Sequence, residues 1–284
     1  MVTQAFKAMQ AKDCTACMEA YQNAFRRSKH SALSHLRAAR CASMCGEALR
    51  SDQLVEAAAE INWDETLQIL NSPKQFPELA GAPNDNFVEK AKVTATKTAE
   101  CQGIDFGLMH RLAAIREADQ WYRANHDSVR SAFGSGSPQH KQFLSEWVHS
   151  DSMNMVEIEK LFHAIGYPGK SLVGPRQAST AWLVLQHAPL DKQEKWLPLI
   201  AKAADTGECL KADWAYLLDR VRMRKNQPQV YGSQVVRDTS GGWVLHPIED
   251  EANVDARRAA VGLGPLEAYA ERCGVSWKPP VKKE

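Results

Sequence analysis

Residues 181–193 read AWLVLQHAPLDKQ. Five apolar residues, 181–185, end abruptly in Gln186 and His187, and Pro189 forbids regular helix bonding across the turn that follows. The stretch therefore reads as the C-terminal end of a buried helix. AWLVL anchors it in the core, and Gln186 and His187 are fixed on a rigid element facing a cleft. On either side the pattern stays helical. QASTAWLVLQHA (177–188) continues into DKQEKWLPLIAKAADTGE (191–208), then LKADWAYLLDRVRMRK (210–225). There AYLL ends in Asp219, much as AWLVL ends in Gln186.

Working outward, the chain has the same character. A helix-favouring run starts at Phe87, is broken at Gly103 and Gly107, and includes LMHRLAAIREADQWYRA (108–124). GSGSPQH (134–140) is a loop, SEWVHSDSMNMVEIEKLFHAIG (145–166) a helix, and GYPGKSLVGP (166–175) a turn-rich connector. QPQVYGSQVVRDTSGGWVLHPIE (227–249) differs: β-branched and aromatic residues flank DTSGG, which predicts a β-hairpin. A last helix, NVDARRAAVGLGPLEAYAERC (253–273), precedes the tail WKPPVKKE. The fold class is therefore mainly α with one small β-hairpin.

Residues 13–70 are helical throughout. Asp13 caps CTACMEAYQNAFRRS, whose packing side carries Ala16, Ala20, Tyr21, Ala24 and Phe25. His30 and Ser31 interrupt it. ALSHLRAARCASMCGEAL follows, with Leu33, Leu36, Ala39 and Ala42 or Ser43 inward and Gly46 near its end. Ser51 or Asp52 caps a third helix, QLVEAAAEI, and a short fourth follows Asn62 or Asp64. A 34-residue offset maps Ala20, Tyr21 and Ala24 onto Leu54, Val55 and Ala58, which resembles tetratricopeptide helical hairpins. Two such units cannot bury a face alone and are expected to dock on the rest of the chain. NSPKQFPELAGAPND (71–85), with three prolines, marks the domain boundary. The expected layout is a tetratricopeptide-like region over 1–80, a connecting helical segment over 81–107, a second domain over 108–274 and a flexible tail over 275–284.

Of 284 residues, 44% are hydrophobic and 24% charged, and the net charge is +1. A sizeable core is available, and no global field recruits nucleic acid or an anionic membrane. No apolar run is long enough to span a bilayer, and the N-terminus lacks the apolar core of a secretion signal, so a soluble cytoplasmic protein is expected. Seven cysteines argue against a complete disulfide framework. Cys14 and Cys17 with Cys41 and Cys45 suit two facing helices, which leaves zinc, disulfides or core packing open. The uninterrupted helix around CxxC favours packing, and no zinc is expected.

AIGYPGKS (164–171) nearly fits a phosphate-binding loop, but a helix precedes it where a buried strand is needed, and Gly174 and Pro175 break any helix after it. Nucleotide binding is rejected.

From about 108 to 272 eight motifs occur in order: DQWYR (119–123), DSMN (151–154), YPGKSLVG (167–174), QHA (186–188), DRV (219–221), QVYGSQ (229–234), PIED (247–250) and DARRAAVGLGPLEAY (255–269). By these the chain resembles a bacterial family of domains of unknown function. Ser233 departs from the family's usual Thr but keeps the hydroxyl. The resemblance implies no activity, so function is argued from side chains.

Helical spacing puts Asp119 and Arg123 on one face, Asp151 and Asn154 on another, His187 with Asp191, and Gln186 with Gln193. A mainly α domain that buries this many polar groups pairs them with each other or with a ligand. The spacing suits neither a His/Cys metal centre nor a serine elbow, so no cofactor or metal is expected. His187 remains as a general acid–base with Asp219 as the second catalytic candidate. Gln186, Arg220, Tyr231, Gln234, Arg257, Arg258, Asp119, Asp151 and Asn154 are the expected binding residues, the arginines holding an anion bidentately. Two readings follow. One is a polar pocket for an anionic small molecule or peptide carboxylate, with hydrolytic chemistry through His187. The alternative is a non-catalytic immunity or regulatory protein whose N-terminal helices bind a protein partner. No nucleic-acid or membrane partner is expected.

Overall fold

A computed structural model describes residues 4–5, 7–8, 11–27, 31–80 and 85–278. His30 and the tail beyond residue 278 lie outside the described residues. The described residues form twelve α-helices and one two-stranded antiparallel sheet, so the mainly α fold with a single small hairpin is borne out. The chain divides into two compact units, Met1–Asp105 and Phe106–Glu284. No helix among the described residues is long and apolar enough to cross a membrane.

The first unit holds α1 (Cys14–Arg27), α2 (Ala32–Met44), α3 (Ala48–Leu70) and α4 (Phe87–Cys101). Asp13 caps α1 by accepting from the Ala16 amide at 3.0 Å. Ser31 does more than interrupt: with Ser34 it forms a reciprocal capping box that starts α2. Gly46 reverses the chain after α2 with φ of 77°, a conformation that favours glycine. The third helix starts earlier than expected, at Ala48, which leaves Ser51 and Asp52 inside it rather than at its cap. The expected fourth helix is the second half of α3. Asn62 leaves helical geometry (φ −163°, ψ 93°) and its Oδ1 caps the Glu65 amide, so one helix restarts across a kink. Small buried residues, Ala38, Ala39, Cys41 and Ala42, let the helices approach closely around Tyr21 and Leu36.

The cysteines correct the sequence reading. Disulfides join Cys14 to Cys45 and Cys17 to Cys41, with Cα separations of 5.5 and 6.1 Å, where plain core packing was expected. CxxC on α1 and CxxxC at the end of α2 place two thiols opposite two thiols, and that match of spacings is within disulfide reach.

The second unit begins with two 28-residue helices, α5 (Phe106–Phe133) and α6 (Pro138–Ile165), joined by the Gly-Ser loop. Ser137 caps α6, accepting from His140, and Pro138 occupies its first turn. The helix break falls at Gly103, and Gly107 lies within the first turn of α5. Next come α7 (Lys170–Gln177), α8 (Thr180–Leu185), α9 (Leu190–Asp205) and α10 (Lys211–Arg224). Leu112, Ile158, Val173, Ala181, Leu185, Ile200 and Leu217 form their shared core. The hairpin pairs β1 (Val235–Arg237) with β2 (Trp243–Leu245), Val236 opposite Val244. Asp238 holds its turn by accepting from Ser240 and Gly242 amides. Two short helices, α11 (Val254–Ala260) and α12 (Leu266–Arg272), complete the unit.

The expected connector at 166–175 contains a helix after all. It begins at Lys170 and kinks at Gly174, where φ is 74°. Its first amides are already taken: Lys170 donates to the Glu208 carbonyl and Ser171 to the Glu208 carboxylate, both at 2.9 Å. A carboxylate of the protein itself thus occupies the place where a phosphate loop would hold its ligand. The element before it is α6, a helix.

Candidate functional site

The turn after α8 is where the polar groups of the second unit gather. Pro189 ends the helix, so the last carbonyls of α8 need partners from outside. Gln193 supplies its amide to the carbonyls of Leu185 (3.3 Å) and Gln186 (2.7 Å). Arg220 adds a bond to the Gln186 carbonyl at 2.8 Å, and Arg224 one to Ala188 at 2.9 Å. Three side chains therefore fix the backbone that carries His187. What matters at Gln186 is its main-chain oxygen, an acceptor shared by two donors.

His187 lies on the outer side of this turn, its side chain 21% exposed. Its Nδ1 is 3.1 Å from Asp119 Oδ1, and Asp119 on α5 is only 1% exposed. Its Nε2 is 3.3 Å from Arg123 Nε. A guanidinium nitrogen can only donate, so Nε2 is the acceptor and the ring proton sits on Nδ1, donated to Asp119. Gln120 donates to the other oxygen, Oδ2, at 2.7 Å. The carboxylate that orients His187 thus comes from 68 residues earlier in the chain. Asp191, four residues on, is exposed in the first turn of α9, beyond the break at Pro189.

Arg123 is the hub. It grips Asp151 on α6 with two parallel bonds of 3.1 and 3.0 Å, lies 3.3 Å from Asp119 Oδ1, and donates to the Asp119 carbonyl. Its guanidinium carbon stands 5.3 Å from the centre of the Trp147 ring. On α6, Trp147 and Asn154 lie about one turn either side of Asp151, and Trp147 Nε1 and Asn154 Nδ2 are buried donors without a hydrogen-bond partner among the described residues.

The remaining expected site residues form a second network. Asp219 is fully buried and accepts from the amides of Val230 (2.7 Å), Tyr231 (3.1 Å to each oxygen) and Ser233 (3.0 Å). Its lone pairs clamp the loop before the hairpin, and Asp219 and His187 each bind partners of their own. Tyr231 is buried against Trp214, and burial raises its hydroxyl above the ordinary value. Gln234 accepts from Arg220 at 3.3 Å and donates to Ser233. Gln229, fully buried, braces the same loop through Gln234 and His246. Arg257 donates to the carbonyls of Val230 (2.9 Å), Glu249 and Asp250 and to the Asp250 carboxylate (3.3 Å), and Arg258 to the carbonyls of Gly264 (2.6 Å) and Tyr231 (2.7 Å). Arg258 thus binds backbone, and Arg257 binds backbone and one carboxylate of the protein itself. Arg220 joins the two networks, since it reaches both Gln186 and Gln234.

Arg123, Trp147 and Gln229, with Gln120, Gln193 and Arg224, lie outside the site expected from the sequence. Arg123 had a signal, the i,i+4 spacing to Asp119 in DQWYR, and Gln229 opens the QVYGSQ motif; Trp147 reads as an ordinary helix position. Another buried acid stands apart from both networks: Asp213, hydrogen-bonded by Ser179 at 2.5 Å, is pushed up to about 6, chiefly by burial, against the Ser179 bond and the Arg116 charge. Among the described residues no group of three or more His, Cys, Asp or Glu side chains is placed to hold a metal ion.

No curated protein and no solved structure matches the chain. Residues 107–276, which span both networks, match a family of unknown function (DUF6624), and the chain belongs to that family.

Proposed function

We propose that Asp119 and His187 are the acid–base pair of a site for an anionic small molecule or peptide carboxylate, with hydrolysis as the reaction class. One observation carries this reading: a buried carboxylate fixes the Nδ1 proton of a partly exposed imidazole, so the Nε2 lone pair is the end turned away from the carboxylate. The group facing that lone pair is Arg123, at 3.3 Å. An anionic group that draws the Arg123 guanidinium toward itself frees Nε2 to accept a proton from water as the water attacks. Asp119 stabilises the imidazolium that forms, and Nε2–H then returns the proton to the leaving group. Trp147 Nε1 and Asn154 Nδ2, buried and unpaired on the same helix face as Asp151, are further donors suited to such a substrate.

The test is a hydrolysis panel of carboxylate- and phosphate-bearing esters and short peptides, read by mass spectrometry, with the native chain, His187→Asn and Asp119→Asn. Loss of a general base costs about 10²–10⁴ in rate, and that loss is expected in His187→Asn at unchanged fold. Equal turnover by native and variant chains contradicts the reading. One observation favours the non-catalytic alternative: His187, Arg123 and Asp151 satisfy one another in a closed set of bonds. Under that alternative His187→Asn lowers stability and changes no turnover.

A further inference from the structure

The two disulfides of the first unit differ in their surroundings. Cys17 and Cys41 are 2% and 1% exposed and belong to a buried core with Tyr21, Ala38 and Ala42. Ala5, itself fully buried, covers this inner bridge, its carbonyl oxygen 3.6 Å from Cys17 Sγ. Cys14 and Cys45 lie about one turn further out along the same two helices, are half-buried, and stand outside that core. The four cysteines share a shallow depression of about 140 Å³ with Lys12, Asp13 and Met44.

The outer bridge ties one helix end to another. Cys14 is the first residue of α1, and Cys45 follows the last residue of α2, just before the reversal at Gly46. Both ends keep anchors of their own. Asp13 accepts from the Ala16 amide at 3.0 Å, and the Cys45 amide donates to the Cys41 and Ala42 carbonyls at 3.1 Å. One turn deeper, the inner bridge and Tyr21 hold α1 against α2. Opening the outer bridge therefore leaves the helices in place. Its sulfurs meet a thiol at the surface, whereas the inner sulfurs meet one only when the core itself opens.

We propose that Cys14–Cys45 is a thiol-exchange site, opened reversibly by small-molecule thiols while Cys17–Cys41 stays closed and keeps the fold. A thiolate attacks Cys45 Sγ, the bond between the two cysteine sulfurs breaks, and Cys14 leaves as a thiolate. The positive end of α1 favours that leaving group. A second thiolate attacks the small molecule's sulfur in the mixed disulfide and releases Cys45. Two thiols have then become one disulfide, and their two electrons and two protons rest on Cys14 and Cys45. The start of α1 is thereby freed from the corner between α2 and α3, which makes the bridge a redox-sensitive latch. The inference is independent of the His187 chemistry, because every residue it uses lies in the first unit.

The experiment exposes the oxidised full chain to glutathione buffers of rising reduced-to-oxidised ratio. Samples are quenched with N-ethylmaleimide and read peptide by peptide by mass spectrometry, with circular dichroism in parallel. Cys101, an exposed free thiol, is labelled throughout and calibrates the quench. Cys14 and Cys45 are expected to take label together, about tenfold or more faster than Cys17 and Cys41, at unchanged helical signal. In Cys14→Ser/Cys45→Ser the inner bridge should stay closed over the same range, because the core rather than the outer bridge shields it. Both bridges opening together, the inner one opening first, or the outer one opening only as helical signal is lost overturns the proposal. So does an inner bridge that opens in the double variant, an outer bridge that no glutathione ratio opens, or a chain whose four cysteines stay thiols in oxidising buffer.

Discussion

Replacing Asp219 by alanine should release the loop at 230–233. The carboxylate receives three main-chain amides, and two of them, of Tyr231 and Ser233, belong to buried residues. A buried donor left without an acceptor costs about 1–3 kcal/mol, so these two alone cost about 2–6 kcal/mol. Asp219→Asn keeps one acceptor oxygen and sets an NH₂ group against a main-chain N–H; its cost should be about half as large. Hydrogen exchange read on a peptide covering residues 227–236 reports this locally, without requiring the two units to unfold together. Since 1.4 kcal/mol is a factor of ten, protection in Asp219→Ala should fall by about 30-fold or more. Protection unchanged in both variants, with loss of a measured turnover, would refute the clamp and return Asp219 to the chemistry.

Other outcomes follow from the same geometry. The folded Asp213 carboxyl is raised from 3.8 to about 6, chiefly by burial, so its stabilising protonated form is fully present below about pH 4 and lost as pH rises through 6. That fall, on the order of 3 kcal/mol, should disappear from the pH dependence of thermal unfolding in Asp213→Asn. At Gly169 an added Cβ would lie 2.5 Å from Glu208 Cβ and 3.0 Å from its carbonyl oxygen. Gly169→Ala should therefore push Glu208 off the start of α7 and cost about 1–3 kcal/mol in denaturant titration. The disulfides are nested, Cys17–Cys41 inside Cys14–Cys45, with separations of 24 and 31 residues. Either one alone should stabilise the α1–α2 hairpin by about 3–4 kcal/mol, and the second should add less, because the first already closes most of its loop. Unfolding of the Cys14→Ser/Cys45→Ser, Cys17→Ser/Cys41→Ser and quadruple variants, with and without reductant, checks both statements.

Local patterns made the fold legible. Alternating apolar faces located the long helices, DTSGG located the hairpin turn, and Pro189 located the end of α8. Asn62 showed its capping tendency, though the result was a kink inside one helix rather than a new helix. The pairing of side chains was not legible, because it depends on which helices meet. Asp119 reads as a partner of Arg123 alone until α5 packs beside the turn at His187. Asp219 and the arginines at 257 and 258 have the residue types of a binding site, yet most of their partners are backbone groups of loops whose path no periodicity encodes. The cysteine spacing was visible, but the sequence alone could not distinguish four packed thiols from two bridges.

The proposed acid–base pair depends most on the orientation of His187, and ring-nitrogen NMR of the native chain measures it without any substrate. With ¹⁵N-labelled histidine, and His187→Asn used to assign the signal, the neutral ring should carry its proton on Nδ1 and an unprotonated, hydrogen-bonded Nε2. Asp119→Asn should weaken that preference. A ring protonated at Nε2 in the native chain would contradict the account, because the lone pair would then face Asp119 and no base would remain to accept a proton.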